Sequence, residues 1–349
     1  NTQTQKQSPT GNAPLIPIQN MFFALQPANP SHWNQHIWLD TQGALDPAAL
    51  RAALGALREH HDALRLAFHR DTGGWHRRFL SSEGLAAVPI LQTVEATDEA
   101  GVVQACEATQ ASLDIERGIV LRALLVQGPG HRQRLLLAIH HLAVDGVSWR
   151  ILIEDLQTAH AQARAGKPIQ LPPKTASVKD WSTALTEWPG AEARRPFWCQ
   201  QGNDTPETPV RIGHCAHHTE RLDAAATERL LTDQPDPTAV LAAALVQAWG
   251  GDVTVNLEGH GRRPEKVAPE LDLSRTVGWF TSLYPLRLPW HADARATLDA
   301  AAAQRRAAEI DGGLGYGVLR FLQDDAQQGP DEALPGLGPV TLNYLGQYR

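Results

Sequence analysis

Apolar residues recur along this chain with two different periods, and these periods mark out its elements. In "DPAALRAALGALREHHDALR" (46–65), Leu50, Leu54, Leu57 and Leu64 repeat at close to helical spacing. Asp46 stands where an N-cap belongs and Pro47 at the first helical position, so a helix with one buried face is predicted. "PIQNMFFAL" (17–25) predicts a short helix opening at Pro17. "DEAGVVQACEATQASLD" (98–114) and "SWRILIEDLQTAHAQARAG" (148–166) predict two more, the latter capped by Ser148 and closed by Gly166. "HWNQHIWLD" (32–40) and "LRLAFHR" (64–70) alternate as strands do. "IVLRALLVQG" (119–128) and "RQRLLLAIHH" (132–141) are apolar runs joined by "PGH", the pattern of an antiparallel pair. The second half predicts helices over 223–231, 238–249 and 292–310, and strands at "DVTVNLEGHG" (252–261), "SLYPLRLPW" (282–290) and "PVTLNYLGQY" (339–348). Strands and helices mix without the regular alternation of a doubly wound sheet, so the expected architecture is two α/β sandwich-like lobes.

Length agrees, since 349 residues suit two domains of roughly 150 residues each better than one core. The Pro-rich stretch 167–173 is the expected linker, between an N-terminal lobe at 14–166 and a C-terminal lobe at 174–349. Residues 1–13 read as a polar tail or a linker within a longer polypeptide. An apolar fraction of 42% is that of a folded globular chain. A formal net charge of −7 argues against a partner bound by phosphate neutralisation, so no nucleic acid is expected. No apolar run approaches the ~20 residues of a membrane span, and the N-terminus has no secretory core, so a cytoplasmic location without membrane contact is expected. Cys106, Cys199 and Cys215 are spaced too widely for a disulfide framework or a zinc site, so reduced thiols and no metal are expected.

The chemistry is concentrated in "LLLAIHHLAVDGVSWRILIEDL" (135–156). His141 ends an apolar strand, where an imidazole can project into a cleft and accept a proton near neutral pH; a paired structural histidine is the plainer alternative. Strand alternation sends His140 to the other side. Gly146 permits a tight loop. Asp145 is either a general base or, the preferred role, a loop brace paired with an arginine, because a buried carboxylate needs such a partner. In "VNLEGHGR" (255–262) a strand delivers Glu258 between close-approach glycines. Either Glu258 exchanges protons from a dry cleft that raises its pKa, or it pairs with Arg262 or Arg263. "TVGWFTSLYP" (276–285) and "GGLGYGVLRFL" (312–322) are rich in glycine and aromatics; core packing with glycine turns explains both, and the second fits neither phosphate-loop spacing. "LNYLGQ" (342–347) offers Asn343 and Tyr344 as polar groups that could reach a cleft.

"HHLAVDGVSWRIL" resembles the HHxxxDG motif of the condensation-domain superfamily of nonribosomal peptide synthetases. "PIQNMFF", "EGHGR", "TVGWFTSLYP", "GYGVLRFL" and "NYLG" resemble, in order, the signature motifs of its epimerization domains across nearly the whole chain. The resemblance implies two chloramphenicol-acetyltransferase-like lobes in a V with the active site in the channel between them. It implies inversion of the α-carbon of an aminoacyl or peptidyl thioester through an enolate, with no cofactor bound by the domain itself. The substrate would ride on the phosphopantetheine arm of a peptidyl carrier protein, with neighbouring synthetase domains as further partners. Carried over by position, His141 and Glu258 become the proton-transfer pair, and Asn343, Tyr344 and Tyr316 position the substrate or enolate. Asp145 would pair with Arg65, and Gly146 and His140 would be structural. This chain departs from the motifs at Asn256, where the family usually has aspartate, and in "GRRPE", where the arginine motif usually continues directly into Glu; segment 199–240 also looks short and the chain stops just after "NYLGQYR", which leaves open whether it is trimmed after residue 349 or shortened near 199–240. A condensation domain would share His141 but lacks EGHGR and VGWFTSLYP. A non-catalytic carrier-docking module would be expected to have lost His141 or Glu258.

Overall fold

In the computed structural model, which describes residues 9–41, 43–85, 87–128, 130, 132–202, 212–233, 236–323 and 333–346, the chain divides into two units. One comprises Asn1–Trp188 with Arg262–Phe280, the other Pro189–Gly261 with Thr281–Arg349. The expected pair of α/β lobes is therefore present, but with a different boundary.

The first unit contains, in chain order, β1 (Gly11–Ala13), α1 (Pro17–Ala24), β2 (Asn34–Asp40), α2 (Pro47–His60), β3 (Leu66–Asp71), β4 (Gly74–Phe79), α3 (Ser82–Leu85), β5 (Leu91–Glu95), α4 (Glu99–Ala111), β6 (Leu121–Gln127), β7 (Gln133–His140), α5 (Gly146–Arg164) and α6 (Val178–Thr186). Its larger sheet runs β2-β7-β6-β5, with only the β5–β6 pair parallel. β6 and β7 are covered on both faces, which is why they read as continuous apolar runs rather than alternating ones. On one face Leu124, Val126 and Leu136 pack on Val102 and Cys106 of α4. Elsewhere in the unit α2 packs along α5. α2 forms as its sequence predicts: the Asp46 carboxylate accepts the Ala48 N–H, Pro47 occupies the first turn, and Ala49, Leu50, Ala53, Leu54 and Leu57 are buried.

Three boundaries differ from the sequence expectation. Part of the polar tail is a strand: Gly11–Ala13 pairs antiparallel with β4 in a smaller sheet ordered β1-β4-β3, because edge pairing uses backbone groups and needs no apolar run; residues 1–8 lie outside the described residues. The first unit does not stop at 167–173. α6 buries Val178, Trp181 and Leu185, and the Ala176 N–H donates to the Asp272 carbonyl, so the chain stays with the first unit until Trp188. Finally, α5 begins at Gly146 with Asp145 as its N-cap, so Ser148 lies inside the first turn instead of capping it.

The second unit has α7 (Arg195–Cys199), α8 (Ala224–Thr232), α9 (Pro237–Trp249) and β8 (Val253–Gly259); the returning segment of the first unit then carries α10 (Pro264–Val267). The second unit resumes with β9 (Ser282–Leu288), α11 (Ala294–Glu309), α12 (Leu314–Phe321) and β10 (Val340–Leu342). Its sheet is ordered β10-β8-β9, β8 lying parallel to β10 and antiparallel to β9. The shortness near 199–240 falls partly on 203–211 and 234–235, outside the described residues.

The glycine-rich 312–322 stretch is the entry to α12. Gly313 is its N-cap at φ +75°, and a Cβ there would lie 2.1 Å from the ring of Tyr284, which is itself buried. Both the backbone conformation and the close approach require glycine. Gly313→Ala is expected to lose about 2–4 kcal/mol, read as a lower urea midpoint. A loss below about 0.5 kcal/mol, the range of a neutral surface change, would contradict this packing.

Candidate active site

The two histidines at the end of β7 diverge. His140 is fully buried; its Nε2–H donates to the Pro30 carbonyl at 2.7 Å and its Nδ1 accepts the Leu142 N–H at 3.1 Å. Both ring nitrogens serve the turn, and burial pushes the imidazole down to about 4. This makes His140 structural, as expected, with a consequence for acid stability. The folded state keeps His140 neutral while an unfolded chain protonates it near 6.5, so its stability contribution is complete above that pH and falls as pH drops toward 4. The loss is on the order of 3 kcal/mol. Urea midpoints at pH 7, 5.5 and 4 measure it, and a flat profile would mean that His140 is charged in the folded protein.

His141 opens a 3-10 turn, His141–Ala143. Its backbone N–H donates to the Trp33 carbonyl, its ring stacks on Trp279 with centroids 4.1 Å apart, and Nδ1 lies 2.8 Å from the Val144 carbonyl. A carbonyl can only accept, so Nδ1 carries the proton and Nε2 holds the lone pair. Nε2 faces the Gln35 amide nitrogen at 3.3 Å. Burial lowers the pKa of His141, outweighing the Val144 carbonyl and Asp145, which raise it. The ring is thus a neutral, oriented base.

Asp145 is the brace that the sequence suggests, with a different partner. Its carboxylate accepts from Ser148 N–H at 2.8 Å, from the Phe280 N–H at 3.2 Å, and from Arg262 Nη2 at 3.0 and 3.2 Å. The Ser148 hydroxyl lies within hydrogen-bonding distance of Asp145, the Gly278 carbonyl and N–H, and Arg262, tying α5 to the 262–280 segment. Arg262 also donates to the Thr276 and Leu273 carbonyls and covers the Phe280 ring at 4.2 Å. The expected Arg65–Asp145 pair does not form. Arg65 is buried and spends its fork locally, on Asp62 at 2.9 Å and on the carbonyls of Arg58, Glu59 and Leu80. It lies three residues from Asp62 in one turn and faces the open carbonyls at the end of α2, which captures it before any distant carboxylate can.

In the second unit, β8 buries Val253 through Leu257 and delivers Glu258 to an accessible position. Although the side chain reaches solvent, partial loss of water raises its carboxyl above the usual range. Among the described residues both flanking arginines have carboxylate partners within their own unit: Arg262 pairs with Asp145, and Arg263 lies 3.5 Å from Glu265. The glycines that follow are used. A Cβ on Gly259 would lie 2.7 Å from the Ser282 hydroxyl, and Gly261 has φ +70°.

Asn256 stitches β8 to β10 and the segment before it. Its Nδ2 donates to the Gly338 carbonyl at 2.9 Å and to Thr341 Oγ1 at 3.1 Å, while its Oδ1 accepts the Gly338 N–H at 2.7 Å. An amide supplies both the donor and the acceptor; a carboxylate supplies only the acceptor. β10 ends with Leu342 beside Leu257, so Asn343 follows where Glu258 does. Asn343 and Tyr344 are both exposed there. Tyr316 is different. It is 1% exposed in the core of the second unit, and its hydroxyl donates to the Pro335 carbonyl at 2.7 Å. It is a core tyrosine on α12, not a group presented to substrate, because the helical turn that points it inward also buries it.

Gln35, Trp149, Trp279 and Arg262 complete the surroundings of His141 and Asp145; the sequence names Arg262 only as a possible partner of Glu258, and does not point to Gln35 or Trp149. The traces that could have flagged them are the "NQ" of β2 and the "SW" after Asp145-Gly146. Elsewhere, His60, His61 and Asp155 approach to within metal-ligand reach, but Asp155 is held by His61 at 2.8 Å and by Arg275 at 2.6 Å, which makes the group an ion-pair brace between α2, α5 and the 262–280 segment. Among the described residues no helix is long and apolar enough to cross a membrane.

Known proteins are similar to this chain. A family model described as Condensation domain matches residues 10–231. A linear gramicidin synthase polypeptide of Brevibacillus parabrevis is 40% identical over 375 residues, spanning 97% of this chain and 5% of that protein. Surfactin synthase subunit 1 of Bacillus subtilis (strain 168) is 33% identical, over 97% of this chain and 10% of its own length. The chain therefore spans a small fraction of these relatives. Among solved structures, the epimerization domain from the third module of tyrocidine synthetase B superposes with a TM-score of 0.81 at 29% identity, covering 99% of this chain and 84% of that one. The first condensation domain of the CDA synthetase superposes at 0.65 with 18% identity, covering 99% and 82%, a likeness of fold alone.

Proposed function

Since this chain belongs to the condensation-domain superfamily of nonribosomal peptide synthetases, we propose that it epimerizes the α-carbon of an aminoacyl or peptidyl thioester. The substrate arrives on the phosphopantetheine arm of a peptidyl carrier protein, beside neighbouring synthetase domains, and the chemistry calls for no cofactor bound by the domain itself. The thioester carbonyl acidifies the α-proton. One base removes it, the electron pair moves into an enolate, and a proton returns to the opposite face with the configuration inverted. His141 enters as a neutral imidazole with its lone pair on Nε2. Glu258 is the second group. Asn343 and Tyr344 are assigned as donors to the enolate oxygen, where negative charge accumulates.

The observation that carries this reading is Glu258 itself: an accessible carboxylate with a raised pKa at the end of a buried strand, among flanking arginines that bind elsewhere. Condensation requires the histidine but no second proton-transfer group. A condensation domain remains the second reading, favoured by the family model and by a His141 cradle that would serve equally to assist amine attack. The test is solvent exchange. A carrier protein loaded with an L-aminoacyl group is mixed with the domain in deuterated water, and the α-position is followed together with the configuration of the released amino acid. Deuterium at Cα with appearance of D product is expected; neither would appear from a condensation domain or a docking module.

A further inference from the structure

We infer that Gln35, locked by Trp149, is a positioning residue that holds His141 in its neutral form with the lone pair on Nε2. The side chains form a chain of three. Trp149 Nε1 lies 2.8 Å from Gln35 Oε1, and the other end of the same amide, Gln35 Nε2, lies 3.3 Å from His141 Nε2. The indole N–H can only donate, so the amide atom beside it must be oxygen and the atom facing His141 must be the NH2 group. An NH2 can only donate in turn, so His141 Nε2 must accept. The Val144 carbonyl on Nδ1 requires the proton to sit on that nitrogen, so of the two neutral tautomers both contacts allow the same one. The Gln35 donor alone disfavours the imidazolium, because Val144 accepts equally from either form.

The arrangement also acts on the proton once His141 has taken it. Nε2–H would then point at the Gln35 NH2, donor against donor. Rotating the amide by half a turn would offer Oε1 to the imidazolium but would face NH2 with the Trp149 N–H and leave that donor unpaired in a position where the indole is nearly buried. The relay therefore favours the base before proton transfer and favours release of the proton after it.

Other titratable groups near the ring do not produce this bias. Asp145, at the start of α5, favours the imidazolium, but its carboxylate is engaged by Arg262 from the 262–280 segment. His140 on β7 is neutral and turned into the core. From the same returning segment Trp279 contributes a ring face and no charge.

The proposal rests on His141 as the proton acceptor, and its test is separable from that reading. Imidazole nitrogen NMR on the folded domain, with His141→Gln to assign the resonance, reads the tautomer and the titration midpoint directly, without substrate. Wild type is expected to show Nδ1–H. Trp149→Phe frees the amide to turn and is expected to raise the midpoint by about one pH unit, and Gln35→Glu, which puts a carboxylate beside the imidazolium, by more. The acidic limb of α-proton exchange should move upward by the same amount in each variant, because the active form is deprotonated. An Nε2–H tautomer in wild type, or an unchanged midpoint in both variants, would overturn the relay. Should one variant fail to fold, the other and the wild-type tautomer still decide. If the midpoints move as expected but wild type exchanges no α-proton, the relay stands and the epimerase reading falls.

Discussion

Glu258→Gln is expected to leave the fold intact and to lower α-proton exchange by about 10²–10⁴-fold from at least one enantiomer, the range for loss of a positioned acid–base group. The amide matches the carboxylate in size and shape but cannot take up a proton. Glu258 is accessible and the neighbouring arginines are engaged elsewhere, so its replacement should change the urea midpoint by no more than a surface substitution does, about 0.5 kcal/mol. The two enantiomers need not respond alike, since a two-base inversion uses one group on each face. Comparing exchange from L- and D-loaded carrier protein therefore shows which face Glu258 serves. The pH dependence is a second signature. A carboxylate acting as base loses activity as pH falls through its pKa, and because partial burial raises that pKa, the acidic limb should sit above the ordinary glutamate range. Normal exchange of both enantiomers by the variant would remove Glu258 from the mechanism and assign the second proton transfer to another group.

What could be read from sequence was what short windows encode. The helix at 46–65 and the paired runs at 119–128 and 132–141 are specified by periodicity and by caps a few residues away, and they appear as α2, β6 and β7. His141 and Glu258 were legible because each ends a buried strand whose apolar run is visible in the chain. Partner choice was not. Arg65 and Arg262 look alike in sequence, and nothing local says that the first is captured by Asp62 and the end of α2 while the second travels 117 residues to Asp145. Tyr316 lies in a glycine-rich motif that core packing explains but to which the resemblance assigns a positioning role, and the helix with its packing against Trp198 decides for the core. The unit boundary was misplaced for a related reason. Proline density marks a break in regular structure at 167–173, but the apolar face of α6 decides which core the next residues join.

The largest stability effects are expected where Asp145 meets Arg262. Asp145 is 5% exposed and simultaneously caps α5, receives the Phe280 N–H and balances the guanidinium. Asp145→Ala leaves Arg262 charged and buried against two carbonyls and a ring, and removing one partner of a buried pair costs about 3–5 kcal/mol. That corresponds to a fall in Tm on the order of 10 °C for a unit of this size. Arg262→Ala should cost a similar amount from the other side, stranding a carboxylate that still has its backbone donors. Because each single change exposes the same broken pair, the double variant should be less destabilised than the sum by at least about 1.5 kcal/mol. Arg65 provides the contrast. It is more deeply buried than Arg262, but its partners are Asp62 and carbonyls from Arg58, Glu59 and Leu80, so Arg65→Ala combined with Asp145→Ala should be additive within about 0.5 kcal/mol. Urea midpoints of these five variants place the arginine that braces the histidine loop. Coupling of Asp145 to Arg65 instead of Arg262 would reverse the assignment. Activity lost without loss of stability in Asp145→Ala would move Asp145 from brace to reacting group.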